Sequence, residues 1–172
     1  MDIREALIKE HSKAQKDKIV AYVGNDKTRF AELITLMLTA EYRVAQRAAY
    51  PVSYCVEKHP ELVKPWFGKM IKKLNEPNIH DAIKRNTLRI LENIDIPDTY
   101  CGALYDISYT YLHSLKEPIA IRVFALSVMA NIAKKYIELK TEVKHDAESL
   151  LHCGIPALES RSRKVLKQLA NL

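Results

Sequence analysis

Residues that make tight turns are scarce in this sequence. Its 172 residues include four glycines, too few for a glycine-rich phosphate loop or a turn-dense β-sandwich. Cysteine is equally sparse. Cys55, Cys101 and Cys153 are odd in number, far apart, and form no CxxC pair, so neither a zinc site nor a disulfide framework is expected. Reduced thiols in a cytoplasm are the simpler reading. No apolar run reaches the ~18 residues needed to cross a bilayer. The opening MDIREALIKEHSK is charged and amphipathic and lacks the apolar centre of a signal peptide. Catalytic signatures are missing too: there is no HExxH, GxSxG, phosphate-binding loop or dinucleotide fingerprint. None of the histidines (His11, His59, His80, His113, His145, His152) pairs at i,i+3 or i,i+4, so no helix face offers two adjacent metal ligands. No cofactor is expected.

Apolar residues, by contrast, make up 48% of the chain, a proportion that suits a folded core. The length suits a single domain spanning residues 1–172. Lysine and arginine total 27 against 21 acids, a net charge of +6. That excess permits contact with an acidic surface or nucleic acid without requiring it.

The apolar residues recur with helical spacing. In IAIRVFALSVMANI, Ile121, Ala125, Val128, Met129 and Ile132 step by four, three, one and three, which is one face of a helix. Phe30, Leu33, Ile34 and Met37 do the same, as do Phe67, Met70, Ile71 and Leu74, and Ile83, Thr87, Leu88, Leu91 and Ile94. Turn signals separate these stretches: VGNDK, KHPE, NEPN, IPD, KEP and CGIP. No alternating strand pattern is present, so the chain is expected to be all-α.

The helices repeat. With Val44, Ile83 and Ile121 aligned, Ala48, Thr87 and Ala125 coincide, and so do Cys55, Ile94 and Ile132; the offsets are 39 and 38 residues. Each of these helices follows another helix and a short loop. A further copy begins near Thr141, where Val165, Leu166 and Leu169 allow two registers. The N-terminal segment reads as a shorter, degenerate copy, as terminal repeats often do. The expected repeats are 3–24 as a cap, then 28–60, 65–97, 99–138 and 141–172.

The segments PNIHDAIKRNTLRIL, EPIAIRVFALSVM and AEYRVAQRAAYPV resemble the second helix of a HEAT repeat. They share a loop, a branched apolar residue, a basic residue, and then small or apolar residues three and four places on. The resemblance implies a right-handed α-solenoid of about four to five helix pairs, with first helices convex and second helices concave. In that family the basic residue commonly ties repeats together, which assigns Lys84 and Arg122 to stacking. Ala45 departs from the pattern, and Pro51 should kink its helix. Asp98 reads as a helix N-cap, Asp106 as an exposed carboxylate among tyrosines, and Trp66 as an apolar anchor at a helix start.

Basic residues crowd the second helices. Arg43, Arg47, Lys84, Arg85, Arg89 and Arg163 form a candidate binding surface on the concave side. Two functions fit it. One is a non-enzymatic interaction module that takes a protein or peptide, acidic in character. The other is a nucleic-acid-binding protein tracking phosphates, similar in repeat type and charge to the HEAT-like alkylpurine DNA glycosylases. No catalytic residue of those enzymes transfers to a position here.

Overall fold

The computed structural model describes residues 1–171. It contains α-helices and short 3₁₀ turns, with no strand among the described residues. The helices are α1 (Ile3–Lys9), α2 (Lys13–Val23), α3 (Lys27–Thr39), α4 (Tyr42–Lys58), α5 (Phe67–Leu74), α6 (Asp81–Leu91), α7 (Asp98–His113), α8 (Ile119–Ala133), α9 (Lys140–Ser149) and α10 (Pro156–Ala170). Consecutive helices pack together in α1 with α2, α3 with α4, α7 with α8 and α9 with α10. The chain divides into two compact units, Met1–Ile90 and the portion from Leu91 onward. No helix is long and apolar enough to cross a membrane.

Local chemistry fixes the starts of the first helices. Asp2, Ser12 and Asp26 each accept a backbone N–H from the first turn of α1, α2 and α3, filling the orphan donors every helix leaves there. The two backbone hydrogen bonds from Arg29 and Thr28 help hold the Asp26 carboxyl below its ordinary range. Gly24 ends α2 at φ 49°, a conformation that side chains with a Cβ resist.

In the first unit, α4 packs against α1, α2 and α3. Its inward face is built from Val44, Ala48, Ala49, Val52 and Cys55, all essentially inaccessible. The two alanines let α3 approach closely with Phe30, Leu33, Ile34 and Met37. Burying each of the larger chains contributes about 1.5–3 kcal/mol. Burial also pushes the Cys55 thiol up to about 12, so it stays protonated and inert. Pro51 is buried inside α4, which continues to Lys58.

In the second unit, α8 packs against α7, α9 and α10. With neighbours around most of its circumference, nearly every position from Ala125 to Ala133 is buried. This explains the greasy run in the sequence: a helix covered on most sides has no need of a polar face. Two sequence expectations change here. Arg122 donates from Nε to the Leu112 carbonyl at 2.8 Å. It therefore ties α8 to the last turn of α7, its own partner helix, rather than to the preceding repeat. The short loop brings the first turn of α8 beside carbonyls that α7 leaves unpaired. Asp98 is the first residue of α7 and caps nothing, because Pro97 occupies the cap position.

Ties at repeat spacing come from other residues. Asn131 donates Nδ2 to the carbonyls of Leu91 and Ile94, both at 2.9 Å. Lys135 Nζ reaches the Ile96 carbonyl at 2.7 Å and Asp95 at 2.6 Å. Gln168, 37 residues beyond Asn131, donates to the Ala130 carbonyl at 3.3 Å. In the first unit Tyr42 and His80 meet at 2.6 Å through Oη and Nε2. His80 Nδ1 accepts the Ala82 N–H, so in the neutral ring Nε2 carries the proton and donates to Tyr42.

Candidate binding face

The outward side of α4 carries one line of residues. Arg43, Arg47, Tyr50, Tyr54 and Glu57 are spaced by four, three, four and three, so they lie along one stripe of the helix. None of them is buried. Two further helices of the first unit bring cations to it. Arg89 of α6 places its guanidinium carbon 4.6 Å from the Tyr54 ring centre and donates to Glu57 at 3.3 Å. Lys16 of α2 holds its ammonium 3.7 Å from the centre of the same ring and 5.4 Å from that of Tyr50. Both distances are those of cation–π attraction. The Tyr50 and Tyr54 rings meet edge to face, 5.0 Å apart, with their hydroxyls 3.4 Å from each other.

Lys16 is unusual for a lysine, with only 6% of its side chain exposed. Burial opposes its charge, but the Asp17 carboxylate at 2.5 Å and the two tyrosines outweigh that cost, so its pKa lies above the ordinary value. Asp17 in turn faces Lys13 and Lys58 as well as Lys16. The tyrosine pair is electrically asymmetric. Hydrogen bonds from Tyr50 and Arg89 lower the Tyr54 phenol, while the bond to Tyr54 raises Tyr50.

The expected site residues have different surroundings. Arg43 and Arg85 are exposed and, among the described residues, have no hydrogen-bond or ion-pair partner. Arg89 joins the tyrosine cluster. Lys84 is half-buried and engaged by its surroundings. Arg47 donates from Nη1 to the carbonyls of Leu7 and Ile8, both at 2.8 Å. The reason lies in α1, which ends in extended backbone at Glu10 and leaves its last carbonyls bare; Gln15 takes the neighbouring Ala6 carbonyl at 2.7 Å. Arg163 lies on α10 of the second unit, exposed, with Glu159 at 3.4 Å along the same helix. Sequence reasoning passed over Lys16, Tyr50 and Tyr54, although the i,i+4 spacing of the tyrosines and their alignment with Arg43 and Arg47 were visible.

In the second unit Arg161 is tied to its neighbours. Arg161 of α10 donates to Glu92 at 2.5 Å and to the Ser127 hydroxyl, and lies 5.5 Å from the Phe124 ring centre. The family description "HEAT repeat domain" matches residues 3–169. The chain belongs to the HEAT repeat family. A crystal structure of an engineered protein is similar in fold, with a TM-score of 0.65 at 18% identity over 99% of this chain and 80% of that one. No curated protein matches. The HEAT register of the last helix follows from its burial. Leu158, Ser162, Val165 and Leu169 are inaccessible and lie 37 residues after Ile121, Ala125, Val128 and Ile132. Arg161 and Phe124 therefore occupy equivalent places in successive HEAT repeats, and so do Gln168 and Asn131.

Two clefts lie in the second unit. One of about 310 Å³ is lined by Cys101, Gly102, Tyr105, Asp106, Ile132, Tyr136 and Leu139. The other, of about 260 Å³, is bordered by Asn131 and Lys135. Between α7 and α9, Asp146 is 94% buried, with Oδ1 3.2 Å from His113 Nε2 and Oδ2 without a hydrogen-bond partner among the described residues. Burial raises the Asp146 carboxyl above its ordinary range, and His113 only partly offsets this.

Proposed function

We propose that this HEAT-repeat protein is a non-enzymatic interaction module that binds an acidic protein or peptide on its second-helix face. The supporting observation is the gathering of cations from α2, α4 and α6 along the outward stripe of α4. Among the described residues Arg43 and Arg85 have no ion-pair partner, and the resident carboxylates Asp17 and Glu57 are matched by Lys16 and Arg89. A patch of this kind steers an oppositely charged partner and fixes its register. The tyrosines add rigid, amphipathic contact area of the type that anchors interfaces.

Fluorescence anisotropy with a labelled Glu-rich peptide tests the reading, with a duplex DNA of matched charge run in parallel. At about 50 mM salt the peptide binds, and the affinity falls as salt rises. The double substitution R43E/R85E weakens binding by about tenfold while leaving the thermal midpoint unchanged. Two outcomes overturn the proposal: no binding of the peptide at low salt, or tighter binding of the duplex, which would make the surface a phosphate-tracking one.

A further inference from the structure

Within that binding face the geometry points to one receiving group: we propose that the Tyr54 hydroxyl, together with the Arg89 guanidinium, takes a side-chain carboxylate of the acidic peptide partner. This rests on the reading of α4 as the binding face and adds the atom-level contact. Tyr54 is the convergence point of the first unit. Its ring has a nearly buried ammonium, Lys16, at 3.7 Å and the Arg89 guanidinium at 4.6 Å, and its oxygen sits 3.4 Å from that of Tyr50. Among the described residues, the hydroxyls of Tyr50 and Tyr54 have each other as their hydrogen-bonding side-chain oxygens. Two hydroxyls that share one hydrogen bond leave one phenolic proton without a protein acceptor. The hydrogen bond from Tyr50, and then the flanking Arg89 and Lys16 cations, make the Tyr54 proton the more acidic of the two, and an acidic donor forms its strongest hydrogen bonds to an anion.

The guanidinium is also available. Glu57, its acid partner, is 64% exposed and touches a single nitrogen at 3.3 Å. Such a rim pair is worth little, and an incoming carboxylate can take up the remaining N–H donors. The same surroundings favour a carboxylate over a phosphate. A dianionic group at Arg89 would lie beside the Glu57 carboxylate, whereas a single negative charge meets less of that repulsion.

The test uses the full chain and the same labelled Glu-rich peptide, with its all-Gln counterpart as a control. Tyr54→Phe removes one oxygen and keeps the ring over Lys16. It should weaken the Glu-rich peptide by about fivefold with an unchanged thermal midpoint. The wild-type protein should bind the Gln peptide no better than Y54F does. Independently, the Cζ resonance of labelled Tyr54 should move on addition of the Glu-rich peptide while that of Tyr109 in α7 stays fixed. Wild-type affinity in Y54F, or a stationary Tyr54 resonance during binding, overturns the assignment. If R43E/R85E still loses affinity in that case, the binding face stands and only its receiving group is wrong. If the wild-type protein does not bind the peptide at all, both proposals fall.

Discussion

Both units place an arginine against the outward stripe of a second helix, and the two arginines differ in what surrounds them. In the unit that begins at Leu91, Arg161 reaches a deep acid. It joins Glu92, whose side chain is 12% exposed, the Ser127 hydroxyl and the Phe124 ring. In the unit ending at Ile90, Arg89 meets Glu57 in solvent and lies on Tyr54. Arg43 and Arg85 of the same unit have no ion-pair partner among the described residues. The same residue type on the same kind of helix is thus structural in one unit and available for binding in the other. The deciding variable is the depth of the acidic partner. A shallow carboxylate exchanges with water or with a ligand, and a deep one does not.

The comparison is broken most sharply by deleting each arginine in turn. Arg161→Ala leaves Glu92 largely buried and unpaired and should cost about 3 kcal/mol, the low end for a buried pair. Arg89→Ala leaves an exposed Glu57 and should cost under about 1 kcal/mol. Urea denaturation gives the two totals, and hydrogen exchange shows whether the R161A loss is concentrated in α8 and α10. Equal losses from the two variants would mean that the exposure of the acid does not set the role of the arginine.

A smaller contrast lies within the second unit, between equivalent places in successive repeats. Asn131 supplies two 2.9 Å hydrogen bonds to the Leu91 and Ile94 carbonyls, and Gln168 supplies one at 3.3 Å. Asn131→Ala strips two carbonyls of their donor and should destabilise by about 1–3 kcal/mol. Gln168→Ala should cost about 0.5 kcal/mol, as befits one long bond. If the order is reversed, these side chains are not what ties the repeats at that spacing.

These arginines and amides also mark where the sequence was readable. The 39- and 38-residue offsets of Val44, Ile83 and Ile121 could be read because buried stripes repeat with the helical period. The last register could not, since Ser162 is polar yet wholly inaccessible, and a reading by apolarity passes over it in favour of Leu166. Arg47 looked like a free surface cation because its partners are backbone carbonyls, whose need for a donor arises from how α1 ends rather than from any side chain. The repeat pattern marks Arg122 as a stacking residue, but its tie is to Leu112 of its own partner helix, which the pattern alone does not specify. Lys16 was invisible for the opposite reason: a lysine reads as solvated, and only the fold puts its ammonium over Tyr54. The basic stripe was legible as residue types, and its division into spent and available charge was not.

The finest contrast is electrostatic, and here the two units differ in sign. In the first unit a buried cation, Lys16, has a neighbouring acid and is stabilised by it. In the second a buried acid, Asp146, has an Oδ2 with no hydrogen-bond partner among the described residues and His113 at 3.2 Å, while further off Glu142 raises and His145 lowers its carboxyl. Because its pKa is raised in the folded state, the folded protein holds that proton more tightly than the unfolded chain does. The resulting stability is complete below about pH 4, the ordinary range of an unfolded aspartate, and is lost as pH rises through the higher folded value. Asp146→Asn keeps the shape and abolishes the titration. Relative to the wild type, the variant should therefore gain stability as pH rises from about 4 toward neutrality, by about 1 kcal/mol or less, in urea titrations at matched salt. A difference that stays constant across that range, or that favours the wild type near neutral pH, would mean that the pairing with His113 outweighs burial and that this acid is as well compensated as Lys16.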